Sequence, residues 1–182
     1  MKKILIMDAH DYEEQLPEIY RIAVRGIIFI DGKLLLIEND FGEAKLPGGG
    51  MDPGEDDITT LCREVKEETG YTVIPDSAIP FGEIEEKRMS LHEPMIWHQI
   101  SRLYFCEVQS GQVECEYTEN EKKYGFKQVA YTLEEAIQKN KEMLKAEGCR
   151  GWNEREYKTL MLIKEYQDAA DLAEKLNMTK YE

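Results

Sequence analysis

Apolar residues along this chain gather in short runs with two different periods. Val24 to Ile30 and Leu34 to Ile37 are apolar runs parted by Asp31-Gly32. Asp-Gly tolerates the positive backbone angles of a two-residue turn, so the pair predicts a β-hairpin. Stretches at Ile84 to Lys87, Trp97 to Val108, Val113 to Glu116 and Phe126 to Ala130 are rich in β-branched or aromatic residues and bounded by turn residues, which predicts four more strands. The opening segment, MKKILIMD, is too short in its apolar run and too quickly followed by acidic residues to be a secretion signal, and it reads as an edge strand.

The period changes after residue 50. Ile58, Leu61, Cys62 and Val65 stand at i, i+3, i+4 and i+7, the spacing of one buried helical face. Asp52-Pro53 with Glu55 nearby marks the start of that helix and Gly70 its stop. Before it, KLPGGGMDPGED concentrates proline and glycine, which predicts irregular backbone able to approach a ligand closely. Thr132 with Glu135 has the capping-box pattern of a helix running to about Ala146. Asn153 with Glu156 opens another towards Leu176, with Gly148 and Gly151 punctuating the gap. Strands and helices alternate without a βαβ rhythm, so the expected fold class is α/β of the α+β type, a helix-flanked mixed sheet rather than a doubly wound parallel one.

Composition narrows the partners. With 182 residues and 42% hydrophobic content, the chain is expected to form one domain, residues 1–182, with a C-terminal helical extension at about 151–178. The net charge of -14 disfavours a nucleic acid polymer or an anionic membrane as partner. It leaves room for a small phosphorylated ligand, because bound divalent cations invert the local field. Cys62, Cys106, Cys115 and Cys149 form no CxxC pair, which points to reduced thiols and a cytoplasmic setting. Cys62 falls on the apolar helical face and is expected to be an inert thiol. No stretch approaches the roughly 18 apolar residues of a membrane span. His10, His92 and His98 show no metal-binding grouping, and His98 is expected to meet sheet neighbours or substrate. Trp97, Tyr104 and Phe105 read as core before base-stacking, and Trp152 is open between the two.

The chemistry concentrates in the helix after the glycines. At about 100° per residue, Glu64, Glu67 and Glu68 share a narrow arc beside the apolar stripe, with Glu68 nearest the core. Carboxylates so placed repel one another and call for a cation, and hard divalent ions take oxygen ligands together with water and substrate phosphate. Gly48, Gly49 and Gly50 are positioned to offer backbone carbonyls to a metal and amides to a phosphate. A solvated Glu-rich face is the competing reading of such a helix taken alone, and the spacing to other residues decides against it. Five residues separate Gly49 from Glu55, seven more lead to Arg63-Glu64, and Val65, Glu67-Glu68, Gly70 and Tyr71 follow.

This pattern resembles the signature of the Nudix hydrolases, G-x5-E-x7-R-E-U-x-E-E-x-G-U with U aliphatic. The match covers Gly49 to Tyr71 and departs only at Tyr71, where the family has an aliphatic residue. The resemblance implies an α/β/α sandwich and metal-dependent hydrolysis of a phosphoanhydride in a nucleoside-diphosphate-linked molecule: a nucleoside triphosphate, ADP-ribose, a nucleotide sugar or a dinucleotide. It implies magnesium or manganese as cofactor, held by Glu64, Glu67, Glu68 and the carbonyl of Gly48, with Arg63 and Glu55 holding each other and orienting the loop. A second glutamate from a later loop often supplies the base in this family, which makes Glu119 and Glu121 candidates beside Glu64. Homodimers are common among similar proteins, and the helix from Asn153 would serve either a dimer or the capping of a monomer. A sensor that binds a nucleotide without cutting it is the alternative of a different class.

Overall fold

A computed structural model describes residues 1–91, 93–145 and 151–178. The chain opens with β1 (Lys3–Asp8) and β2 (Glu18–Ile27), then crosses at Ile28 into β3 (Phe29–Ile30), turns, and returns as β4 (Lys33–Glu38). Asp31 (φ 50°) and Gly32 (φ 76°) supply the two positive angles of the hairpin turn. The single strand expected over Val24 to Ile30 is thus two, β2 in one sheet and β3 in another. Next come β5 (Ala44–Lys45), β6 (Gly48–Gly50), α1 (Asp57–Thr69), β7 (Ile79–Met89), β8 (Ile96–Phe105), α2 (Glu119–Lys123), β9 (Lys127–Tyr131), α3 (Leu133–Met143) and α4 (Gly151–Met178).

The larger sheet has the order β1-β7-β8-β2-β6 and is mixed: β1 runs parallel to β7 and β2 parallel to β8, whereas β7–β8 and β2–β6 are antiparallel. The N-terminal strand is at the edge, as its sequence suggested. A second, antiparallel sheet joins β4 to β3, β5 and β9. One core cluster lies between the sheets, where Ile27, Leu34, Leu36, Ile84 and Leu103 meet Leu133 of α3 and Leu160 and Ile163 of α4. The other packs α1 through Leu61 and Val65 onto Val24, Ile28 and Leu35, with Tyr71 at its margin.

Several expectations give way to tertiary structure. Gly48–Gly50, read as irregular, pairs with Ala23–Arg25 because extended glycines can lie flat against a neighbouring strand. Helix α1 starts at Asp57, not at Asp52-Pro53: the Asp56 side chain accepts the Thr59 amide at 2.7 Å, a better cap than proline at the first turn. Val113 to Glu116 forms no strand; its amides instead bond the last carbonyls of α1, Val113 to Gly70 at 2.9 Å and Glu116 to Glu67 at 2.7 Å. The strand expected to end at Val108 ends at Phe105, leaving Val108 in a lone bridge with Val73. The later loop expected to carry Glu119 and Glu121 contains α2, capped by a reciprocal Thr118–Glu121 box. The capping box at Thr132 and Glu135 is present, and α3 ends at Met143, with the expected terminus at Ala146 outside the described residues.

Asn153 and Glu156 do not cap a helix. They lie within α4, where Asn153 donates to Glu43 at 2.9 Å and Glu156 accepts the Leu46 amide at 3.1 Å, so both tie the helix to the segment before the glycines. His92, Gly148 and Cys149 lie outside the described residues. Among the described residues no helix is long and apolar enough to cross a membrane.

Candidate active site

The glycine strand and α1 build the site together. Gly48 adopts φ 133°, and a Cβ there would collide with the Val24 carbonyl of the paired strand. A Cβ on Gly49 would overlap the Glu64 carboxylate, so a glycine there leaves the space in which that carboxylate lies against the strand. Into this seam Glu68 is drawn to 3% exposure, accepting the Gly48 amide at 2.7 Å and the Lys45 ammonium at 2.7 Å. Glu64 sits in the same seam and Glu67 one turn on, nearer solvent.

Arg63 holds this arrangement. Its Nε and Nη2 clamp the Glu55 carboxylate at 2.7 and 2.9 Å, Nη2 also donates to the Gly50 carbonyl at 3.0 Å, and Nη1 reaches Glu64 at 2.8 Å and Glu67 at 3.3 Å. Glu55 further accepts from Thr60 at 2.8 Å and the Asp52 amide at 3.1 Å. The bidentate guanidinium, the Asp52 amide and the Thr60 hydroxyl together hold the Glu55 carboxyl at about 2, well below the ordinary carboxylate range. The loop is thereby pinned to the helix by one residue pair.

Glu64, Glu67, Glu68 and Glu121 line one cavity of about 360 Å³ with Gly48, Gly49, Gly50 and Thr118. Burial is the largest influence on Glu64 and raises its carboxyl; Arg63 opposes this and Glu68 reinforces it. Of the two later glutamates, only Glu121 reaches the cavity, held by the Thr118 amide and hydroxyl at 2.8 Å each. Glu119 points to solvent and pairs with Lys122 at 3.0 Å, because the short helix α2 turns adjacent side chains in different directions. That removes Glu119 from the site.

All of the acidic donors are hard oxygens, the type that magnesium and manganese take. The protein's own cations stand among them: Lys45 on Glu68, Arg63 on Glu64 and Glu67, and Arg25 donating to the Gly48 carbonyl. Among the described residues no three acidic, histidine or cysteine groups stand close enough together to hold a metal as placed. The donor type fits a divalent ion, and Glu64 and Glu67, bound to no backbone amide in the seam, are the side chains best able to turn towards one. Glu68 and the Gly48 carbonyl, expected as ligands, are engaged with Lys45, the Gly48 amide and Arg25.

The family profile of the NUDIX domain matches residues 19–148, more than half of the chain and all of this site. The chain belongs to the Nudix family. Among curated proteins, YjhB of Bacillus subtilis strain 168, named as a candidate ADP-ribose pyrophosphatase, is 28% identical over 92 residues. The match takes in 50% of this chain and 43% of that relative, so the chain spans less than half of its length. Among solved structures, a Nudix hydrolase from Nitrosomonas europaea is similar at a TM-score of 0.56 and 19% identity, over 83% of this chain and 90% of the other. The structure of an ADP compounds hydrolase matches at 0.54 and 20% identity, over 82% and 74%. These two likenesses speak to the Nudix fold, and the mixed sheet with its flanking helices agrees with them.

Sequence reasoning missed a second group of residues. Arg21, Arg25, Lys45, Trp97 and Trp152 line a neighbouring cavity of about 260 Å³. Trp97, read as core, instead lies between Arg21 and Arg88, whose guanidinium carbons stand 5.8 and 5.7 Å from its ring centre. A usable signal existed in the alternation of β2, where Arg21 and Arg25 fall in register with the core-facing Ala23 and Ile27. Tyr104 and Phe105 are packed as expected, Tyr104 with its hydroxyl on Asp57 at 2.6 Å and Phe105 against Phe81 and Tyr166. His98 meets sheet neighbours, Glu18 at 2.7 Å and Glu85 at 2.8 Å. Burial raises the Cys62 thiol above its ordinary value and pushes Cys106 up to about 12, which leaves both poor nucleophiles.

Proposed function

We propose that the protein is a Nudix pyrophosphohydrolase that uses magnesium or manganese to cut a phosphoanhydride bond in a nucleoside-diphosphate-linked small molecule by attack of water at phosphorus. The observation that carries this reading is the convergence of Glu64, Glu67, Glu68 and Glu121 with the glycine strand on one cavity. The name of the Bacillus relative supports ADP-ribose as one member of the substrate panel.

In this reading Glu64 and Glu67 hold the metal, with Glu68 completing the acidic wall once Lys45 is displaced. The divalent ion, when bound, supplies charge neutralisation on the bridging phosphates and a lowered pKa for water. Glu121, across the cavity from α1, is the proposed base, positioned by its two bonds to Thr118. Arg63 keeps Glu64 and Glu67 on one side while its clamp on Glu55 holds the loop carbonyl of Gly50 in register with the helix. Backbone amides of the glycine strand and the cations Arg21, Arg25 and Lys45 are available to the anionic substrate.

The test is a panel of nucleoside triphosphates, ADP-ribose, nucleotide sugars and dinucleotides, each with magnesium, manganese and chelator, with products read by mass. Release of a nucleoside monophosphate that stops on chelation supports the reading, and the preferred donor names the substrate. Tight nucleotide binding with every compound left intact in both metals would replace it with the sensor reading.

A further inference from the structure

The 260 Å³ cavity beside the carboxylates is walled by cations, two of which have no direct ion pair among the described residues and feel Glu64 and Glu68 only across the adjoining cavity. Five cations, Arg21, Arg25, Lys45, Arg88 and Arg155, belong to its wall, and the described lining contains no carboxylate. Three of the five are satisfied from behind: Arg155 and Arg88 by Glu86, Arg155 also by Glu156, and Lys45 by Glu68. Arg21 and Arg25 are not. Among the described residues neither has an ion pair; Arg25 is 6% exposed, bonds only the carbonyls of Leu46 and Gly48, and leaves its Nε without a partner. Arg21 lies against Trp97 on one side and Gly50 on the other, so closely that a Cβ on Gly50 would stand 2.8 Å from its Nη2. Burial and the neighbouring Arg25 push Arg21 below its ordinary value against the opposing attraction of Glu64 and Glu68, so the site disfavours a guanidinium with no anion in direct contact.

Buried charge without a directly bonded counter-ion is costly to a fold, and it persists where an anion completes it. Planar guanidinium groups match phosphoryl oxygens, and in this wall they cover the aromatic ring of Trp97 rather than leaving it bare for a base. Arg21, Arg25 and Lys45 line this cavity and the carboxylate cavity alike, so one ligand can run through both. We propose that the cavity is an anion subsite in which Arg21 and Arg25 hold a phosphoryl group of the substrate beyond the pair that is cut. The proposal rests on the hydrolase reading of the adjoining site for the word substrate, and on the geometry above for the anion. The phosphoryl group is either the terminal phosphate of a nucleoside polyphosphate or a 2′-phosphate on the nucleoside ribose of a conjugate.

Both tryptophans of the chain, Trp97 and Trp152, line this cavity, so intrinsic fluorescence reports its occupancy directly. In chelator, the emission of the full chain is titrated with ATP, 2′-phospho-ADP-ribose, ADP-ribose, tripolyphosphate and adenosine. A saturable change with tripolyphosphate, and with ATP or 2′-phospho-ADP-ribose at least about tenfold tighter than with ADP-ribose, is the expected result, and the tighter of those two names the source of the phosphate. Arg21→Gln is expected to weaken that binding about tenfold or more while its melting temperature stays level or rises, since one of two repelling charges is gone. Arg21→Lys, which keeps the charge, is expected to retain part of the affinity. Unchanged affinity in Arg21→Gln, an equal response to adenosine, or a lowered melting temperature with binding intact would each overturn the subsite. Because no metal is present, the two readings fail separately: binding without turnover in the substrate panel removes the hydrolase, and turnover without any change in emission removes the subsite.

Discussion

Glu67 and Glu55 show how single side chains in one seam do different work. Glu67 is the most exposed of the helix carboxylates and supports no backbone, so Glu67→Gln is expected to lower kcat about a hundredfold or more in saturating magnesium with the melting temperature unchanged. Kinetics alongside thermal melting check both halves. Glu55 is a structural pin whose carboxyl titrates at about 2 in the folded protein, against an ordinary value of 4.5. A depressed carboxyl stabilises the fold above its unfolded value and loses that contribution as pH falls through the folded one. The window is therefore about pH 4.5 to 2, and Glu55→Gln is expected to flatten the acid limb of a denaturation series there while lowering stability at neutral pH. At this scale the sequence was highly legible, since the Nudix resemblance implied the pairing of Arg63 with Glu55 and helical spacing set three glutamates on one arc. It could not choose between Glu119 and Glu121, because their separation depends on the helix that α2 forms. It also could not place Lys45 on Glu68, 23 positions away.

At the scale of elements, α1 and the glycine strand act as one unit. Asp56 caps the helix at 2.7 Å, and Asp56→Ala is expected to lower stability through loss of the cap, read as a small fall in the denaturation midpoint with the slope unchanged. Gly49→Ala places a methyl group where the Glu64 carboxylate lies, so the expected outcome is a folded protein that has lost most of its turnover, checked by circular dichroism and the product assay. The helix was readable because its apolar stripe repeats over four positions and Gly70 marks its end, whereas its true cap is Asp56 rather than the expected Asp52-Pro53. The glycine strand was not, because a proline-glycine segment has no side-chain period to betray pairing. Val113 to Glu116 misled in the other direction: its composition suits a strand, but the amides it offers are consumed by the end of α1.

In the whole molecule, α4 is locked to the large sheet by a buried polar network as well as by Leu160 and Ile163. Arg155 of α4 is 5% exposed and meets Glu86 of β7 and Glu156, while Glu156 also accepts the Leu46 amide just ahead of the glycine strand. Removing one member strands the others, so Glu86→Ala is expected to destabilise by about 3–5 kcal/mol, measured by denaturant titration, and by more than truncation of an exposed pair such as Lys158–Glu154. Through Arg155 this network forms part of the wall of the basic cavity and ties α4 to it. What the sequence by itself determined was local: the hairpin turn, the helix with its acidic arc, the capping box of α3 and the Nudix spacing, all set by contacts within a few residues and by steric limits on the backbone. What only the tertiary structure decided was which distant groups meet: the split of the first hairpin strand between two sheets, the pairing of Gly48–Gly50 with β2, the placing of Glu121 in the wall of the carboxylate cavity, the role of Asn153 and Glu156 as anchors, and the basic cavity of Arg21 and Arg25. Those outcomes rest on strand order and on burial between layers, and no period along the chain encodes either.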